Sequence, residues 1–362
     1  MKKLLAIAAL LIGLSACHKP ENALEKYDRT TLLTNLADSV IAPSYTQFAN
    51  GSLQLSQAAN TFVVSPDAGN LNALRTAWSQ TVAIWQACEM YNLEFASANS
   101  LAAQIASWPV DTNVIENEIT GSATLDEAYV QTTGTTRKGL SAVEYLIYGA
   151  GNDQAVLDSF TTSTNAPRRK QYLAALCAHI KTQGNLAAND WNNGTSHNHF
   201  IAQTQLDISG SMNVLVNCLI EHIEAVRKNK ISKPLGIDNA GVADGNLTEN
   251  HRAPLSLESI KANIAAWKVL FNGASGKGFD DYLLAVNAKH DTEDLSVTIN
   301  NQLDLCLAKA NAITVPLHLA VTQQPANVQA LYLELKKLTV LTKVEMASSL
   351  GVIITFSDND GD

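Results

Sequence analysis

Alternating apolar and polar residues, the signature of a half-buried strand, are scarce in this chain. Only short runs such as Gly351 to Phe356 could be extended, so a sandwich or barrel is excluded as the main architecture. Basic residues are also few, 25 Lys and Arg against 34 Asp and Glu, for a net charge of −9. No basic cluster is longer than Arg168-Arg169-Lys170, which argues against a nucleic-acid partner. Several enzyme signatures are missing as well: there is no GxSxG elbow and no HExxH helix. Gly273-Ala-Ser-Gly276-Lys277-Gly278 lacks both the spacing and the hydroxyl of a phosphate loop, and reads as a turn between helices. Five cysteines occur without CxxC spacing. Cys88, Cys177, Cys218 and Cys306 sit at apolar helical positions, which leaves disulfides and buried free thiols equally open.

What is present begins with an export leader. Lys2 and Lys3 precede an apolar run from Leu4 to Leu14 that is too short for a permanent membrane span. The run closes on Leu14-Ser15-Ala16-Cys17, which resembles the lipobox of bacterial lipoproteins. The expectation is a signal peptide over residues 1–16, lipid attachment at Cys17 and a tether over 17–30, fixing the protein to the membrane. Residue 18 is His rather than the Asp that retains lipoproteins at the inner membrane, so an outer-membrane location in the cell envelope is expected.

Beyond the tether, helical periodicity dominates. Leu71, Leu74, Trp78, Trp85 and Cys88 share one helical face, and Met212, Leu215, Leu219, Ile223 and Val226 share another. Further periodic segments cover roughly 31–62 (interrupted at Pro43), 138–148, 168–189, 257–271, 293–313 and 326–350. The fold class is therefore all-α, as two packed helical bundles, an N-terminal domain over 31–195 and a C-terminal one over 196–362. A weak echo of Ile41-Ala42-Pro43 in Val315-Pro316 hints at duplication. The boundary is placed at the Trp191 to His199 loop, and the long Lys230 to Pro254 loop lies either over a site or between domains.

Candidate chemistry is thin at first sight. His197 and His199 read as exposed loop residues, and His290 as a loop residue ahead of a helix cap formed by Asp291 and Asp294. Asp358 to Asp362 imitates the start of a calcium loop but ends before the bidentate Glu. The informative segment is Arg137 to Gly149. There Glu144 lies among Leu140, Val143, Leu146 and Ile147, on one face with Ser141. A carboxylate so placed is costly unless it ligates something or closes a buried network with Ser141 or a backbone group.

On that segment the chain resembles the imelysin family, also called the M75 peptidase-like proteins. Its GxHxxE motif aligns with Gly139-Leu-Ser141-Ala-Val-Glu144. Trp78 through Trp85-Gln-Ala-Cys-Glu89, Trp108-Pro109-Val-Asp111, the Ser256 helix start, Phe271-Asn-Gly273 and the closing Leu350-Gly-Val support it in order and spacing. The resemblance implies a two-domain helical fold with a polar groove at the domain interface, in exported proteins of bacterial iron acquisition. It places Glu89, Asp111, Ser141, Glu144 and Ser256 near that groove, as a metal or ligand site. The departure is Ser141, which stands where the family has His, and a hydroxyl is a far poorer ligand for zinc or ferrous iron. The expectation is thus a non-catalytic protein binding iron, an iron complex or another ligand, with an envelope protein as a further partner. The alternative is a metallopeptidase in which His197, His199 or His290 replaces the missing ligand, and a third reading is an envelope interaction module.

Overall fold

After a single helical turn, Ala23–Lys26, Asp28 accepts from the Thr31 N–H through its side chain and caps α1 (Arg29–Leu36). The computed structural model describes residues 23–149 and 151–356. The leader, Cys17 and the Asp358 to Asp362 tail lie outside the described residues. A π-helical segment, Ala37–Ile41, joins α1 without a break to α2 (Ala42–Val64), and Pro43 occupies the first turn of α2. Proline has no N–H to donate and its ring crowds the carbonyl four residues back. Widening the preceding turn, so that the Ala42 N–H reaches the Ala37 carbonyl, accommodates both defects. The helix expected to be interrupted at Pro43 therefore continues through it.

Asp67 caps α3 (Ala68–Cys88) by accepting from Asn70 N–H, and the predicted stripe Leu71, Leu74, Trp78, Trp85 and Cys88 is buried throughout. Each such large apolar side chain contributes roughly 1.5–3 kcal/mol on burial. Helix α2 packs between α3 and α4 (Ala166–Trp191), against α4 most extensively. Gly184 permits the closest approach, since a Cβ there would stand 2.8 Å from Ser52 Oγ. Between α3 and α4 in sequence, short helices lead to the motif helix Gly139–Tyr148. Gly139 has φ +77° and packs so tightly that a Cβ would lie 2.4 Å from the Ile105 carbonyl oxygen, so the motif glycine serves the backbone.

The expected loop at Trp191 to His199 is instead a tight turn followed by a helix, Thr195–Ala202, which carries both histidines. Residues two apart on a helix diverge, and the pair separates accordingly. His197 Nε2 lies 2.6 Å from Asp38 Oδ1, and His199 Nδ1 lies 2.8 Å from Glu94 Oε1.

The second predicted stripe is buried on α5 (Ser211–Ala225), which continues through another π-helical segment, Val226–Ser232, ahead of Pro234. The same solution to a proline thus appears twice. Helix α6 (Ser256–Phe271) then packs on α3, while α7 (Leu295–Asn311) pairs with α8 (Pro325–Val340). Gly273 to Gly278 forms the expected inter-helix turn, and Asn35 Nδ2 donates to the carbonyls of Gly273 and Lys277. Among the described residues the only β pairing is a two-residue ribbon, Lys289–His290 with Glu293–Asp294. Asp291 turns this ribbon at φ +52°, so the residue preceding α7 is Asp294 rather than Asp291, and His290 stands opposite Glu293 instead of along a helix from it. The extended stretch after Leu350 finds no strand. Asn213 Oδ1 accepts from Ile353 N–H and Asn217 Oδ1 from Thr355 N–H, so two side chains of α5 satisfy its backbone.

The chain is all-α, and its buried apolar side chains form one connected cluster from Leu32 to Val352. No described helix is long and apolar enough to cross a membrane. All four described cysteines are free thiols.

Candidate functional site

The contact of α6 with α3 brings polar residues from distant parts of the chain into the interior. Lys230, in the second π-helical segment, is buried. Its ammonium donates to Gln86 Oε1 at 2.6 Å, Glu89 Oε1 at 2.6 Å and Asn263 Oδ1 at 3.0 Å. That uses all three protons. Glu249 Oε2 stands 3.1 Å from the same nitrogen as an ion pair without a hydrogen bond of its own, while Gln86 Nε2 donates to Glu249 Oε1. Glu89 Oε1 also accepts from Asn263 Nδ2 at 2.8 Å and from His222 Nε2 at 3.0 Å.

The tautomer of His222 follows from its other neighbour. Trp267 Nε1 lies 2.9 Å from His222 Nδ1, and an indole N–H can only donate, so Nδ1 is the bare nitrogen and Nε2 carries the proton given to Glu89. Burial alone would raise the Glu89 carboxyl, but the Lys230 ammonium and the His222 N–H outweigh it and bring its pKa down to about 2. Burial likewise works against the Lys230 charge, and Glu249 and Glu89 outweigh it, holding the ammonium above the ordinary lysine range. Glu249 goes the other way. Its burial dominates and the neighbouring Glu89 charge adds to it, so its carboxyl sits above the ordinary value.

The loop that carries Glu249 continues to the motif helix. Glu144, 2 % exposed, accepts from the Ala253 N–H at 2.9 Å, which is the backbone partner its apolar setting called for. Burial pushes its pKa up to about 7, only partly offset by the Ala253 N–H and the Arg252 charge. Arg252 lies over the Tyr145 ring, 5.3 Å from its centre. Ser256, at the start of α6, donates to the Glu249 carbonyl and fixes the end of the loop.

The expected residues therefore divide. Glu89, Glu144 and Ser256 are brought together through residues 249–256, and Ser141 is buried one turn before Glu144. Asp111 is exposed and caps helix Thr112–Thr120 by accepting from Val114 N–H at 3.1 Å; no hydrogen bond joins it to the cluster. His197, His199 and His290 pair with Asp38, Glu94 and Glu345. Lys230, Glu249, Asn263, Gln86 and His222 were not anticipated. One signal was available for Lys230, because it follows Ile223 and Val226 at spacings of seven and four and so continues the buried stripe.

This helical fold is that of the imelysins. The family model described as Imelysin, Peptidase_M75, matches residues 41–342, and the chain belongs to that family. A sequence relative is the iron-regulated protein A of Synechococcus elongatus, 32% identical over 124 residues. That match covers 33% of this chain and 33% of the relative, so the chain spans about a third of the length of the curated relative it matches. Two solved structures share the fold. One is an imelysin-like protein from Psychrobacter arcticum (TM-score 0.73, 22% identity, 90% of this chain and 96% of that one). The other is an iron-regulated protein A precursor from Parabacteroides distasonis (TM-score 0.74, 18% identity, 92% and 97%).

Proposed function

We propose that this imelysin is a lipid-anchored protein of the bacterial envelope that binds an iron complex or another small ligand as an accessory to iron uptake, without cleaving it. The observation that carries the reading is the state of the seam's carboxylates. Glu89 and Glu249 share the single Lys230 ammonium and are tied to Gln86 and Asn263, and Glu144 is held by a backbone N–H with a serine where the family motif has an imidazole. Among the described residues no group of three or more His, Cys, Asp and Glu side chains is arranged to hold a metal ion. A zinc hydrolase requires about three protein ligands and an open position for water. A seam of this composition suits recognition of an assembled ligand better than catalysis by a bare ion. The regulation named for the Synechococcus relative supports an iron context, and the Leu14 to Cys17 sequence supports lipid attachment and outer-membrane sorting.

The test is titration of the soluble protein, starting after Cys17, with zinc, calcium, ferric iron and ferric citrate, in the parent and in Glu144→Ala. The expected result is binding of ferric citrate, weakened in the variant, with no stoichiometric zinc. Stoichiometric zinc lost in Glu144→Ala, together with chelator-sensitive cleavage of a denatured protein, would replace this reading with the metallopeptidase.

A further inference from the structure

Two clefts meet at Glu89. One, of about 350 Å³, runs past Asn92, Ser100, Cys218, Glu221 and His222. The other, of about 330 Å³, is bounded by Trp85, Ser107 and Trp108, and Ala102 and Ala103 border both. Volumes of this order suit small organic molecules. The lining charges are Glu89 and Glu221, both acidic, and no Lys or Arg lines either cleft.

Glu89 is held rigidly for such a role. Its three hydrogen bonds all end on Oε1, from Lys230, Asn263 and His222, which leaves Oε2 for the clefts the residue lines. The Lys230 ammonium, its counter-charge, spends its protons on Gln86, Glu89 and Asn263 and sits 5.7 Å from the Trp108 ring centre. Trp85, in the wall of the second cleft, keeps its indole N–H buried without an acceptor. The pairing is therefore a fixed carboxylate beside an aromatic wall. An anion would meet Glu89 with like charge, and an alkane would leave the carboxylate unanswered.

We propose that the clefts at Glu89 bind a small organic cation, an amine or guanidinium, with Glu89 as counter-ion and Trp108 beside it. This goes beyond the ligand-binding reading above, which is tested at Glu144, and adds a separate site at the Glu89 clefts.

Calorimetric titration of the soluble protein with lysine amide, pentylamine and acetate tests it, with ferric citrate titrated in parallel. Lysine amide and pentylamine should both bind and weaken as salt is raised, and acetate should not bind. Glu89→Gln should reduce lysine amide affinity on the order of ten-fold or more. Ala103→Phe, which narrows both clefts without touching the Lys230 network, should abolish binding while the melting temperature is kept. Lysine amide binding no tighter than acetate, or binding undiminished in Ala103→Phe, overturns the proposal. If ferric citrate binds and the amines do not, the cation assignment falls and the ligand-binding reading stands; if neither binds, both fall.

Discussion

Glu89 and Glu144 are two glutamates at one seam, Glu144 buried and Glu89 with only a tenth of its side chain exposed, yet their carboxyls shift in opposite directions. Glu89 is brought down to about 2 and Glu144 is pushed up to about 7. Desolvation raises both, so the difference lies in what each carboxylate meets. Glu89 meets an ammonium, an amide and an imidazole N–H on a single oxygen, whereas Glu144 meets one backbone N–H, with Arg252 turned onto Tyr145. A buried charge survives in this protein where a second charge was buried with it. Glu89 is thus a fixed anion, while Glu144 changes its protonation near neutral pH.

The largest effect should come from removing the second charge. Lys230→Met leaves Glu89 and Glu249 together in the interior without a cation, and should cost about 3–5 kcal/mol in a urea titration at neutral pH. The loss should shrink on acidification, as the two carboxylates take up protons in place of the lysine. A loss independent of pH would mean that side-chain packing, not charge, holds the cluster.

Next in size is the reverse substitution at the other carboxylate. The folded-state pKa of Glu144, about 7, lies above its ordinary 4.5, so the folded protein holds the extra proton between those values. Stability should therefore fall as pH rises from about 4.5 to about 7, by roughly 3 kcal/mol. Glu144→Gln keeps an oxygen to accept from Ala253 and carries no charge. It should be more stable than the parent at pH 8 by an amount approaching that figure, and nearly equal to it at pH 5. Parallel stability curves for the two proteins across this window would remove Glu144 from the account. Glu89 has the opposite sign: its stabilisation is complete above about 4.5 and is lost as the pH falls toward about 2.

How far the sequence foretold this comparison depends on which residue is asked about. Glu144 was legible because Leu140, Val143, Leu146 and Ile147 surround it along the helix, so its burial and its need for a partner follow from local pattern. The partner, Ala253 N–H, is 109 residues away in a loop, and periodicity carries no information about it. The stripes on α3 and α5 were legible for the same local reason. Lys230 was hidden by the opposite prejudice. A lysine followed by Asn, Asp, Gly and Pro reads as the start of an exposed loop, and its burial becomes sensible only once Gln86, Glu89, Glu249 and Asn263 converge from three other segments. The histidine pair failed through context of another kind. Asn192 to Gly194 makes a turn short enough for a helix to restart at Thr195.

The smallest effect isolates the donor that separates Glu89 from an ordinary lysine-paired carboxylate. His222 links Trp267 to Glu89, accepting on Nδ1 and donating from Nε2. His222→Leu deletes both bonds, leaves the Trp267 N–H buried without an acceptor, and should cost about 2 kcal/mol. His222→Gln can present an oxygen to Trp267 and an amide N–H to Glu89 in the same order, so it should recover at least half of that loss. The two variants are similar in size and differ sharply in hydrogen bonding, which is what makes the pair informative. Equal losses in Leu and Gln would show that imidazole shape is what matters at this position. A Gln variant near the parent would show that Glu89 is held down by a chain of donors reaching back to Trp267, and not by Lys230 alone.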